Sequence, residues 1–350
     1  MIRALHFSVF LSFLLTVASC TNTSSPQSIT SKGEPGRLVL VADDALYAAI
    51  DSVLDDVFLE PQPWLPMDEA YFKPSRMNTQ SFRRSFIEHQ TVFFLVTREN
   101  FAALSAYIPN MDKEKMEALF AAKHFTPIAL KNKFATPQMM YYLFAETPQE
   151  MAIKLTAQKT ALLTQLYNKE VEDYALRLFD NKHKKNPLFK QIKKQLGMGV
   201  AVTNKFEKMK QEEDFFWFAE RYVNEQLGVV CYRIPYTDTA QFSDAFLIAF
   251  RDSIMKEQIP GPQPGTYMST SGSDLHPLLS EVLQINGQYA KKIRGWWTVK
   301  GEFMGGPFVQ YAVLNKKGTH IFVYEGFVYA PNKSKSKNLR TLEAFGYTIQ

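Results

Sequence analysis

Cysteine is all but missing: the 350 residues hold two, Cys20 and Cys231. One of them sits in the first twenty positions, so the disulfide framework of small secreted domains is excluded. Histidine is also sparse. His6, His89, His124, His183, His276 and His320 stand apart, with no His-x-His, no His-Glu-x-x-His and no cysteine neighbour. No local metal-ligand pattern exists, and no metal or other cofactor is expected. Neither sign of charge prevails: 40 Lys+Arg against 35 Asp+Glu leave +5, too little over this length for a nucleic-acid binder. No run reaches the about 20 apolar residues of a membrane-spanning helix. Gly-x-Gly-x-x-Gly, the P-loop and the Gly-x-Ser-x-Gly elbow are absent as well. What remains is 46% apolar and 21% charged, with 28 Phe and 16 Tyr, ordinary for a folded chain with ample core material.

The opening is informative. Met1-Ile2-Arg3 precedes an apolar run from Phe7 to Val17, and Val17-Ala18-Ser19-Cys20 follows. A cationic start, a short apolar stretch and small residues before a cut describe a secretory signal over 1–19. Val-Ala-Ser-Cys resembles the bacterial lipobox, in which the cysteine is lipidated and becomes the mature N-terminus. That resemblance implies acylation of Cys20 and a lipid bilayer as partner, since two or three acyl chains anchor stably where one is marginal. The alternative is an ordinary signal cut near a cysteine. Residues 20–36 are rich in Ser, Thr, Pro and Gly, as a flexible tether is. Thr21 follows the cysteine, so the aspartate of an inner-membrane retention signal is missing, and so is an acidic surface-export cluster. By analogy the anchor is in the outer membrane, facing the periplasm. Cys231, in the β-rich run Val229 to Ile234, reads as a buried small hydrophobe more than as a nucleophile.

The body reads as α+β: mixed or mainly antiparallel sheets flanked by helices, in an N-terminal half over 37–197 and a β-rich half over 198–350. Leu38 to Val41 reads as a strand, and Asp43 or Asp44 caps a helix carrying Leu46, Ile50, Val53 and Val57. A helix from Asn78, a strand from Thr91 to Val96, a helix from Asp112 and strands over 127–133 and 138–145 follow. Thr147-Pro148-Gln149-Glu150 is a capping box with proline at the first helical position, predicting a long helix over about 148–186. Lys182, Lys184, Lys185, Lys190, Lys193 and Lys194 crowd its end, either touching anionic headgroups or forming a solvated face. Further strands are predicted over 199–203, 215–220, 229–235, 289–300, 308–314 and 320–329, with helices over 241–257 and 336–345. Both halves end in a strand pair followed by a helix, which would suit two similar halves.

The C-terminal half carries distinctive runs: Pro260-Gly261, Pro264-Gly265-Thr266-Tyr267-Met268, Arg294-Gly295-Trp296-Trp297, Phe303-Met304-Gly305-Gly306-Pro307-Phe308-Val309, and Gly326-Phe327-Val328-Tyr329-Ala330-Pro331 with Lys337-Asn338-Leu339. These resemble a family of uncharacterised bacterial lipoproteins known only as a domain of unknown function. The resemblance implies secretion and a lipobox, and brings no activity, cofactor or catalytic residue.

No catalytic set emerges. Ser334 and Lys337 match Ser-x-x-Lys inside a lysine-rich loop, and Ser271, Ser273, Asp274 and His276 crowd one loop that cannot aim a triad. Gly305-Gly306 either lets a ligand approach bare backbone or marks a bulge or tight turn. Arg251, Tyr267, Arg294, Trp296 and Tyr329 lie in or beside the distinctive runs. Arginine with aromatics suits a carboxylate, phosphate or sugar ligand, or they simply pack the sheet. The expectation is a binding or structural envelope protein, its partner a protein or a small ligand. The alternative is an envelope hydrolase assembled from distant residues.

Overall fold

The computed structural model describes residues 29–350 except Thr126, 180–185 and 273–276. The signal, Cys20, the lysines at 182, 184 and 185, and Ser273 to His276 therefore lie outside the described residues.

In the first sheet β1 (Arg37–Val41), β2 (Lys73–Met77), β3 (Thr91–Thr97), β4 (Ile128–Lys131) and β5 (Met139–Ala145) take the order β2-β1-β3-β5-β4. Near-continuous apolar runs build its centre, in β1, β3 and β5. β1 pairs in parallel with β2 and β3, β3 in parallel with β5, and β4 antiparallel to β5. β3 and β5 are buried at every position, as parallel strands covered on both faces must be. α1 (Asp44–Phe58) is capped by Asp43, whose carboxylate accepts from Leu46 N at 3.0 Å. The short α2 (Thr79–Ser81) is capped by Asn78 and runs into a π-helical turn at Phe82–Phe86. α3 (Phe101–Leu104) and α4 (Lys113–Ala121), capped by Asp112, cover the outer face.

The capping box opens α5 (Pro148–Ala157): Thr147 accepts from Glu150 N at 3.2 Å, and Glu150 accepts from Glu146 N at 3.0 Å. The expected single helix is broken at Gln158 (φ −121°, ψ 16°), and α6 (Lys159–Leu178) continues from there. No proline or glycine dictates the break. Packing does: α5 lies on β3, β5 and α1, whereas α6 turns to meet the C-terminal helix. α6 ends at Leu178, short of 186, and α7 (Leu188–Leu196) follows.

The second sheet is antiparallel and eight-stranded. β6 (Glu207–Glu212), β7 (Phe215–Tyr222), β8 (Glu225–Pro235), β10 (Leu279–Ile285), β11 (Gln288–Lys300), β12 (Gly305–Leu314) and β13 (His320–Tyr329) run β10-β11-β12-β13-β8-β7-β6, and β9 (Tyr267–Thr270) pairs with β11. The edge strand β6, EKMKQE, carries four charged residues in six, which discourages edge-to-edge association. Residues 199–203, expected as a strand, form none; Gly199 instead exchanges backbone hydrogen bonds with Gln350 at 3.0 Å each way. α8 (Asp244–Gln258) covers one face of the sheet and α9 (Ser336–Gly346) the other.

The result is layered: α3 and α4, the first sheet, then α1, α5, α6 and α9, the second sheet, and α8 outside. A shared core between the sheets joins Leu40 and Leu95 to Leu166, Tyr311 and Phe345. The sheets differ in strand number and direction, so the similar endings of the halves do not extend to a common topology. Residues 29–36, expected as tether, are held against the body by bridges from Thr30 to Thr136 and from Lys32 to His89. Among the described residues no helix is long and apolar enough to cross a membrane.

Candidate functional site

Alternation along β11 sends Lys292, Arg294 and Trp296 to one face of the second sheet and Ile293, Gly295 and Trp297 to the other. That rule separates the expected ligand residues. Arg251, on α8, lies under one face, and Arg294 lies on the opposite face.

Arg251 is fully buried. Its Nε and Nη2 donate to the two carboxylate oxygens of Glu325 at 2.8 and 2.7 Å, and Nη1 donates to Asp252 and Thr270 at 3.0 Å each. The guanidinium also lies 4.2 Å from the centre of the Phe308 ring. Burial pushes the Glu325 carboxyl up against the opposing pull of Arg251.

Arg294 makes the same fork on the other side. Nε and Nη2 donate to Glu343 of α9 at 2.8 and 2.7 Å, while the cation sits 4.4 Å from the Trp64 ring centre and 5.1 Å from that of Tyr167. Here the pair is part of a network. Tyr167 donates to Glu343 at 2.9 Å, Lys292 lies 3.9 Å from Glu343 and 2.5 Å from Glu281, and Arg294 reaches Glu281 at 3.3 Å. One turn earlier on α9, Arg340 pairs with Glu170 of α6 at 2.6 Å, donates to the Tyr71 carbonyl and lies 4.1 Å from the Tyr167 ring centre. Glu343 is buried, a penalty that alone would raise it, yet Arg294 and Lys292 hold it below the usual carboxylate range. Lys292 is itself lowered, by burial and then by Arg294.

The remaining expected residues are structural neighbours. Gly306 stands opposite Trp297 in the β11–β12 ladder, and the Trp297 indole donates across it to the Val328 carbonyl at 3.2 Å. A Cβ on Gly306 would collide with that carbonyl oxygen, and one on Gly305 would stand 2.7 Å from Trp296 Nε1. The glycine pair therefore opens a strand, where a bulge or turn was the alternative expectation, and serves indole packing. Tyr329, at the end of β13, lies 6.2 Å from the Trp297 ring. Tyr267 starts β9, with Lys256 5.1 Å from its ring centre, and Trp296 is half-buried. Among the described residues Arg251 and Arg294 lie on opposite faces of the second sheet and share no site.

The partner carboxylates escaped the sequence reading, although each breaks an apolar pattern. Glu325 interrupts Ile321, Val323 and Phe327 at period two. Glu343 lies on the buried face of α9 among Leu339, Leu342 and Phe345, and Arg251 stands between Leu247 and Met255 at helical spacing. A charge inside an apolar stripe predicts a buried partner.

Other flagged groups are occupied. Ser334 donates to Glu69, which also accepts from Lys335 N and Ser336 N at the start of α9, while Lys337 pairs with Glu34 at 3.3 Å. Burial pushes the Cys231 thiol well up, leaving it un-ionised. Among the described residues no three His, Cys, Asp or Glu are grouped to hold a metal ion. A cavity of about 330 Å³ lies where the chain enters the body, lined by Lys32, Arg37, Ser75, Ser85 and His89 among others. His89 is buried and lowered to about 4 by that burial; its Nδ1 lies 3.2 Å from the Thr91 carbonyl oxygen.

Residues 31–179 match the model of a domain of unknown function, DUF8532, and residues 185–348 that of a second, DUF4837. The two matches are consistent with an uncharacterised family. The sequence finds no match among curated proteins. Two solved structures align with about half of the chain. The Ran-binding protein Mog1p of Saccharomyces cerevisiae is 9% identical, covering 48% of this chain and 94% of its own, with a TM-score of 0.30. A point mutant of protein Mog1 is 8% identical, covering 48% and 95%, with a TM-score of 0.31.

Proposed function

We propose that this protein is a lipid-anchored envelope protein, facing the periplasm from the outer membrane, whose body binds a partner or supports envelope structure. The observation that carries the reading is Val17-Ala18-Ser19-Cys20 behind a secretory signal and ahead of a Ser/Thr/Pro stretch. The chemistry of the body agrees with it. Arg251, Lys292, Arg294 and Arg340 each face a buried or half-buried carboxylate: Arg251 and Arg294 join a helix to the second sheet, Arg340 joins α9 to α6, and Lys292 joins β11 to β10. Growing the source bacterium with an alkyne palmitate analogue tests the anchor. The label is expected on the wild-type chain in the membrane fraction and lost in Cys20→Ala; an unlabelled wild type contradicts the reading.

One observation favours the second reading, an envelope hydrolase: His89, Ser75 and Ser85 line the same cavity. His89 there meets a backbone carbonyl where a serine triad has a carboxylate. A fluorophosphonate probe that labels the wild type, and not Ser75→Ala or Ser85→Ala, would establish that reading.

A further inference from the structure

Two hairpin tips project from one end of the second sheet. The register places Thr298 opposite Gly305, Tyr329 opposite Gln226 and Tyr222 opposite Glu225, so the β11–β12 and β7–β8 turns lie on one level. The tip residues are Phe303 and Val223, exposed to 110% and 98%. Three strand spacings separate them, about 14 Å along the sheet. The β7–β8 turn is the two-residue Val223-Asn224, where Gly, Asn or Asp is favoured, and the β11–β12 turn runs over 300–303; a large apolar side chain at either tip stabilises nothing inside the fold. Exposed Lys300 and Arg221 flank the two turns; Glu302 stands beside Phe303, and Glu225 is neutralised by Lys333.

The chain passes this end at Glu34, on its way into β1. β13 finishes here at Tyr329, α9 starts here, and Lys337 in its first turn pairs with Glu34 at 3.3 Å. From Cys20 to Glu34 the chain spans at most about 50 Å, so an anchor at Cys20 keeps this end within reach of the bilayer. The exposed lysines Lys190, Lys193 and Lys194 belong to the opposite end, where Gly197 lies against His320.

We infer that the Phe303 and Val223 tips, flanked by Lys300 and Arg221, dock the body on a lipid surface bearing anionic headgroups. The inference deepens the tethered reading proposed above. Two apolar tips and two cations suffice for binding that is measurable at high vesicle concentration, and in the cell a short tether strengthens it by raising their local concentration. The docked end then fixes which way the body faces.

The test uses residues 29–350 without the anchor, since the buried core runs from Leu38 to Ile349 and is complete within them. The probe is vesicles of phosphatidylcholine with a minority of phosphatidylglycerol, against phosphatidylcholine alone. The body should co-sediment with the anionic vesicles, and Phe303→Ser with Val223→Ser should weaken that at least about tenfold. Both residues are surface turns, so the variant folds. Cys231 is buried, so a fluorophore on Phe303→Cys labels one site and should shift to the blue on vesicles. Absent binding, binding unchanged in the double variant, or an unshifted probe would each overturn the inference. A concentration-dependent oligomer lost in the double variant, with no vesicle binding, would overturn it in favour of self-association. Because this body lacks Cys20, its result is independent of acylation.

Discussion

The two faces of the second sheet carry the same bidentate fork in opposite settings. Under α8, the arginine is on the helix and the glutamate on the strand: Arg251 and Glu325 face mainly apolar neighbours. Under α9 the polarity is reversed, with Arg294 on the strand and Glu343 on the helix, and Lys292 and Tyr167 join them. One cation leaves Glu325 raised by burial, whereas two cations and a hydroxyl leave Glu343 lowered. Desolvation is therefore overcome on one face and not on the other. The difference matches location: the network lies in the core shared by both sheets, the lone pair beneath an outer helix.

The comparison can be broken at its strongest point first. Glu343→Leu leaves the buried Arg294 and Lys292 to share the half-exposed Glu281 and should cost about 3–5 kcal/mol in urea unfolding. Glu325→Leu should cost less, about 3 kcal/mol, because Arg251 keeps Asp252 and Thr270. Replacing both partners, Arg251→Met with Glu325→Leu, should restore most of that loss, since an outer-layer pair can be exchanged for apolar packing.

Acid separates the faces by sign. The lowered Glu343 contributes stability that is present above about pH 4.5 and lost as pH falls through its folded value. The raised Glu325 works the other way, its contribution present below about 4.5 and lost as pH rises through its folded value. Stability measured against pH should therefore show a smaller acid loss in Glu343→Gln and a larger one in Glu325→Gln. His89 adds a term of the first sign. Neutral when folded, it contributes stability above about 6.5 that is lost towards about 4, worth up to about 3 kcal/mol and removed in His89→Gln. The smallest effect is expected from Tyr167→Phe, which deletes one donor to Glu343, about 1 kcal/mol.

Local signals made much of the fold legible. Asp43, Asn78, Asp112 and Thr147 cap helices as their spacing predicts, and the apolar runs at 38–41 and 91–97 are buried strands. The strands missed by sequence, β2, β6, β9 and β10, are edge or half-exposed strands with weak apolar patterning. The break at Gln158 was invisible because it answers to two packing partners and no local residue. Arg251 and Arg294, expected either to bind a ligand or to pack the sheet, each meet a carboxylate, 74 and 49 residues away. Only the fold shows that the unusual charge is met by a neighbour in space.

The anchor at Cys20 is the centre of the account, and the intact mass of the protein extracted from its own membranes tests it most directly. The prediction is a mature chain beginning at Cys20 and carrying two or three acyl chains. A chain beginning elsewhere, or beginning at Cys20 without acyl mass, would contradict it.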